Sequence, residues 1–147
     1  MPGSPDPVIP ELSVNDVWAA LERDRTAQLV DVRTRAEWAY VGVPDVSKHD
    51  RQVLLVEWQS FPDNQVDPNF TDRLSQAIAG VGDGRETALY FICRSGARSL
   101  SAARAMVAAG FSRCHNVTGG FEGQLDADRH RGSLSGWKAA GLPWVQG

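Results

Sequence analysis

Cysteine is scarce in this chain: two occur in 147 residues, Cys93 and Cys114. They form no C-x-x-C pair, and with His49, His115 and His130 scattered along the sequence, no metal cage is expected. Both cysteines therefore read as free thiols of a reducing compartment. No apolar run approaches the length of a membrane span. The opening "MPGSPDPVIP" lacks the basic start and apolar middle of a signal peptide, so a cytoplasmic location is the expectation. An excess of one charge is missing as well. Fifteen Lys and Arg stand against eighteen Asp and Glu, a net charge of −3, so neither nucleic acid nor an anionic membrane is an expected partner. Any anion site must be a local concentration of positive charge. There is no internal repeat, and biased composition stops after the first ten residues. The reading is a flexible lead over 1–10 and one domain over 11–147.

What is present is ordinary for a globular domain, with 42% apolar and 22% charged residues. "ELSVNDVWAALERD" predicts a helix capped by Ser13, with Val14, Val17, Trp18 and Leu21 on one apolar stripe. "AQLVDVR" predicts a strand apolar on both faces until Asp31, the pattern of a parallel strand covered on both sides. "TRAEWAYV" is a short helix with Thr34 as cap, and "VLLVEW" over 53–58 is a second buried-strand candidate. After a loop over 60–70, Pro68 opens the helix "NFTDRLSQAIAG". "TALYFIC" is the clearest strand and "ARSLSAARAMVAAG" the clearest helix, with Leu100, Ala103, Val107 and Ala108 expected on its buried face and Gly110 closing it. "CHNVT" is a last short strand, followed by "GGFEG" and a tail with one more helical piece. Strands alternating with helices predict an α/β domain with a mainly parallel sheet. Such sheets place ligands at the C-terminal ends of their strands, where Asp31, Cys93 and the pair Gly119–Gly120 fall.

The stretch "CRSGARS" concentrates the chemistry. Cys93 ends a strand, and Arg94, Ser95, Gly96 and Ala97 turn the chain into a helix beginning near Arg98. Successive amides in such a turn form an anion-binding concavity, and the helix start adds unpaired N–H groups and the positive end of its dipole. Two guanidinium groups flank the same spot. Each of these features favours a thiolate over a thiol. A strand-end cysteine is more commonly a small buried hydrophobe, but two arginines within five positions have little packing rationale. Cys114 lacks such surroundings and reads as core.

Taken in order, "LVDVRTRAEW" with "VGVP", then "ICRSGARS", then "NVTGGFEG" resemble the rhodanese-like, or sulfurtransferase, domains. The resemblance runs from about Glu11 to "GWKAAGLPW". It implies a five-stranded, mainly parallel sheet with helices on both faces. It implies that Cys93 carries a sulfane sulfur as a persulfide, cradled by a loop of Arg94, Ser95, Gly96, Ala97, Arg98 and Ser99. Asp31 and Arg33 match the family's early D-x-R element, Glu37 its usual acid, and Gly119 its glycine pair. For Arg33 and Glu37 a structural salt bridge between near neighbours is the favoured role. Implied partners are a small sulfur-containing anion such as thiosulfate and a thiophilic acceptor, cyanide or a thiol, including a protein thiol. No cofactor is implied beyond the covalent persulfide. "VGVPDVSKHD" departs from the family's usual continuation, and Val53 to Phe70 is longer than in a minimal member, which bears on acceptor specificity. Related dual-specificity phosphatases and arsenate reductases carry C-x5-R, whereas Cys93 and Arg98 are spaced C-x4-R, a tighter cradle suited to a single sulfur atom. A different class stays open: a sulfur carrier or partner-binding module, with Trp58, Trp137 and Trp144 at an interface.

Overall fold

The computed structural model describes residues 8–60, 63, 65–81 and 84–146. In chain order the elements are β1 (Glu11–Ser13), α1 (Val14–Arg23), β2 (Gln28–Asp31), α2 (Arg35–Val41), β3 (Val43–Pro44), β4 (Leu54–Leu55), β5 (Gln59–Ser60) and β6 (Gln65–Val66). There follow α3 (Phe70–Ala79), β7 (Leu89–Ile92), α4 (Ala97–Ala108), β8 (Cys114–Thr118), α5 (Gly136–Ala139) and β9 (Trp144–Val145). Five strands form one sheet in the order β1-β8-β7-β2-β4, with every pairing parallel. Two antiparallel pairs, β3 with β9 and β5 with β6, lie outside it.

The central strands β2 and β7 are buried along their whole length, which is why their sequences show no polar alternation. Side chains then divide by pleat. Val30, Leu89, Phe91 and Cys93 face a core shared with Phe70, Leu74 and Ile78 of α3 and with Ala102, Ala103 and Met106 of α4. Leu29, Tyr90 and Ile92 face the opposite core, with Val17 and Leu21 of α1 and Trp137 of α5. The sheet is thus covered on both sides, and all five parallel strands deliver their C-terminal ends to one edge.

Local signals account for the helix starts. The Ser13 hydroxyl accepts from Asp16 N at 3.1 Å. Thr34 and Glu37 form a reciprocal capping box at the start of α2. Several expectations are corrected. The strand expected over 53–58 shrinks to β4, half-exposed at the sheet edge, because it has a neighbour on one side only; beyond it, Val56 N and Trp58 N still bond to Asp31 O and Val32 O. The three-residue edge strand β1 stands where the sequence predicts only a helix start, since it is too short to display a period. The buried face of α4 is Ser99, Ala102, Ala103 and Met106; Leu100 and Val107 sit at its margin. Its alanines let the helix approach the sheet closely, and the buried hydroxyl of Ser99 is hydrogen-bonded. Of the flexible lead expected over 1–10, residues 1–7 lie outside the described residues. Ile9 is buried in the core, and Pro10 O accepts from Asn116 N at 2.9 Å. No helix among the described residues is long and apolar enough to cross a membrane.

Candidate active site

Between the end of β7 and the start of α4 the chain has four residues in which to reverse. Gly96 makes this feasible by adopting φ +125°, a conformation that residues with a side chain rarely hold. The turn aims the Gly96 amide back at the cysteine, with N 3.1 Å from Cys93 Sγ. The Ser99 hydroxyl lies 3.2 Å from the same sulfur, and α4 begins directly behind it, presenting the amides of its first turn. Cys93 is almost fully buried, yet it lines a cleft of about 660 Å³. The cleft walls include Thr34, Glu37 and Gln59 from one part of the chain, Arg94, Ser95, Ala97 and Arg98 from the turn, and Glu122 and Arg131 from the tail.

A polar network under the turn holds its shape. Asn116 on β8 donates from Nδ2 to Gly96 O at 3.1 Å and to Glu11 Oε1 at 3.1 Å. Its Oδ1 accepts from the Ser99 hydroxyl at 2.5 Å. Asn116 thereby fixes both ends of the turn's last step, and its own amide is fully engaged in a buried setting. Ser99, expected in the loop around the sulfur, is one of the groups nearest it.

The two arginines of the turn differ. The Arg98 guanidinium forms a bidentate pair with the Glu37 carboxylate, with contacts of 2.6 and 2.8 Å. Burial pushes the Glu37 carboxyl upward, but the Arg98 hydrogen bond and the capping contacts of Thr34 outweigh it and hold the group down at about 2. The Arg98 guanidinium is correspondingly raised, first by its hydrogen bond to Glu37. Arg94 is exposed and has no ion pair among the described residues. Both arginines line the cleft, but only Arg94 brings an uncompensated charge.

The salt bridge expected to fix the strand end forms for Arg33, with Asp31 as its near neighbour, whereas Glu37 pairs with the distant Arg98. Arg33 precedes the cap of α2, so Arg33 and Glu37 never share a helix face. Arg33 pairs with Asp31 in full burial at 2.7 Å, donates to Gly42 O at 2.7 Å, and lies over the Phe121 ring at 4.2 Å. Asp31 and Arg33 thus brace the end of β2 and do not line the cleft, whereas Glu37 does.

The glycine pair is split by task. A side chain on Gly119 would meet Gly136 N at 3.1 Å, so Gly119 serves the seam with α5. At Gly120 a Cβ would sit 2.5 Å from Cys93 O and 2.6 Å from Arg94 O. This close approach lets Phe121 N bond to Cys93 O at 2.8 Å, and Glu122 N and Gly123 N to Arg94 O at 3.0 and 3.1 Å. Sequence reasoning passes over Asn116, Arg131 and Gln59. Arg131 reaches the cleft because its Nη1 donates to Gly123 O at 2.7 Å. The only sequence signal for it is a basic cluster in a loop.

The remaining candidates lie elsewhere. Cys114 is buried, donates to Phe111 O at 3.2 Å, and has its thiol pushed up to about 12 by burial. Trp137 is fully buried with Nε1 donating to Pro143 O, Trp58 packs edge-on against Phe70, and the partly exposed Trp144 lies under Lys138. Among the described residues, no three His, Cys, Asp or Glu side chains come together as a metal site.

Residues 11–147 match the family model described as the STR4 middle domain. The crystal structure of Rv0390 from M. tuberculosis superposes with a TM-score of 0.82 at 42% identity, covering 96% of this chain and all of the other. An uncharacterized protein of Rickettsia prowazekii is 35% identical over 82% of this chain and 85% of its own length. The chloroplastic Rhodanese-like domain-containing protein 4 of Arabidopsis thaliana is 24% identical over 91% of this chain, which corresponds to 25% of that longer protein.

Proposed function

The chain belongs to the rhodanese-like family, and on that premise we propose that it is a sulfurtransferase working through a persulfide on Cys93. A donor such as thiosulfate enters the cleft as an anion, drawn by Arg94. The Cys93 thiolate attacks the outer sulfur, a sulfur–sulfur bond forms to Cys93, and the donor's own sulfur–sulfur bond breaks to release sulfite with the electron pair. The product is Cys93–S–S⁻. An acceptor nucleophile, cyanide or a thiolate, then attacks the terminal sulfur and the electron pair returns to Cys93. Two half-reactions through one covalent intermediate give ping-pong kinetics, and no metal or organic cofactor takes part.

The observation that carries this reading is the Gly96 amide aimed at Cys93 Sγ from 3.1 Å, at the start of a helix and on the wall of an open cleft. A buried structural cysteine needs no such donor, as Cys114 illustrates. The donor's negative charge and the persulfide that follows are both anionic, and amides, helix dipole and guanidinium favour both. Mass spectrometry of the chain after exposure to thiosulfate tests the reading. One added sulfur is expected on the peptide containing Cys93 and none in Cys93→Ser. Turnover by Cys93→Ser at the parent's rate would refute it.

A further inference from the structure

The cleft is far larger than the five heavy atoms of thiosulfate require. At about 660 Å³ it falls in the range of roughly 300–1,000 Å³ that encloses drug-sized ligands. Its charges are unevenly spent. Among its lining residues Arg98 and Glu37 neutralise each other through two short hydrogen bonds. Arg94 and Arg131, which also line it, have no ion pair among the described residues, and none joins either of them to Glu122.

Arg131 is built to bind. A guanidinium carries five N–H donors in a planar fork, and here one nitrogen is anchored on Gly123 O at 2.7 Å. The anchor holds a half-buried side chain in place over the cleft and leaves its other donors without partners among the described residues. Gly123 N in turn bonds to Arg94 O, so Arg131 is tied to the strand end from which Cys93 projects. A pre-positioned fork lining an open cleft matches a carboxylate, which takes two parallel hydrogen bonds.

We propose that Arg131 sets acceptor specificity: it anchors the carboxylate of a small anionic thiol whose sulfur reaches the Cys93 persulfide. This rests on the sulfurtransferase reading above and extends it to the second half-reaction. The acceptor's thiolate forms a bond to the terminal sulfur, the Cys93 sulfur–sulfur bond breaks, and Cys93 keeps the electron pair. The acceptor leaves as its own persulfide, so no oxidant or reductant is needed. Arg94, in the turn itself, serves the donor; Arg131 stands on the neighbouring loop, where the non-reacting end of a longer molecule lies.

The test begins with protein loaded by thiosulfate and freed of donor. Its single-turnover discharge is followed with 3-mercaptopropionate, 2-mercaptoethanol and cysteamine as anionic, neutral and cationic acceptors, each rate corrected for the fraction of thiolate. Discharge efficiency is expected to fall in that order. In Arg131→Ala the ratio of anionic to neutral acceptor should drop about tenfold or more, the scale of one charge-assisted hydrogen bond, through a weaker half-saturation and not a lower limiting rate. Arg131→Lys should recover part of the ratio. Arg73→Ala, a surface cation paired with Asp67 away from the cleft, should keep the parent's ratio, which separates anchoring from bulk charge. An unchanged ratio in Arg131→Ala, or an equal drop in Arg73→Ala, overturns the inference while leaving the sulfurtransferase reading intact. Slower loading by thiosulfate with an unchanged acceptor ratio would move Arg131 to the donor and also overturns it. Failure of Cys93 to load at all removes both.

Discussion

At the scale of single residues, the cleft is ordered by which charges are already answered. Glu37 occupies both oxygens on Arg98 and also closes the capping box of α2. One carboxylate therefore ties a helix start to the sulfur-bearing turn across 61 positions of sequence. Its depressed pKa is a statement about stability. The folded-state value of about 2 lies below the ordinary 4.5, so the contribution is present above 4.5 and is lost as pH falls toward 2. Glu37→Gln keeps a side chain able to complete the capping box but removes the charge. At neutral pH it is expected to be less stable by about 2 kcal/mol, a figure already reduced for the partial exposure of the pair. The gap between the two proteins' denaturation midpoints should close between pH 4.5 and 2. A gap that stays constant over that range would mean the ion pair contributes nothing measurable.

At the scale of elements, the site is a seam between two loops. The turn after β7 exposes the carbonyls of Cys93 and Arg94, and the loop after β8 meets them with three amides. That meeting depends on Gly120, whose φ of +65° and lack of a side chain allow backbone to touch backbone. Gly120→Ala combines a left-handed backbone cost of roughly 1–2 kcal/mol with an overpacking cost of roughly 1–3 kcal/mol. Gly84 is the internal control. It has φ +60°, but a methyl group placed there would meet nothing within 4 Å, so Gly84→Ala should cost the backbone share alone. Thermal unfolding of the two variants is expected to separate them. Sulfur uptake should be slowed only in Gly120→Ala, because only there does the Cys93 carbonyl have to move. Equal losses at the two sites would show that the seam has no special tightness.

At the scale of the whole molecule, what is legible in the sequence is what is contiguous. The turn from Cys93 to Ser99, the caps Ser13 and Thr34, and the two-sided burial of β2 and β7 are all written within windows of a few residues. The support for the site is not. Asn116 reaches Gly96 across 20 positions and Glu11 across 105, and Arg131 enters the cleft from the tail. For Glu37, nearness in sequence points to the wrong partner, because Arg98 is distant along the chain and adjacent in space. The thiols follow the same division. Cys93 is distinguished by its neighbours in sequence, whereas the character of Cys114 comes from the core that closes around it. Burial raises the Cys114 thiol from an ordinary 9.0 to about 12. A raised acid contributes stability that is intact below pH 9 and is lost as pH climbs from 9 toward 12, because the unfolded chain gives up this proton first. A shift of that size corresponds to at most about 4 kcal/mol. The parent and Cys114→Ala, each in a Cys93→Ser background, should therefore differ in the steepness of their alkaline stability loss, with the alanine variant the flatter by up to that amount. Denaturant titrations at about pH 8 and about pH 11, on either side of the ordinary thiol value, measure it. Parallel losses in the two proteins would mean that the folded core admits a thiolate at this position as readily as water does.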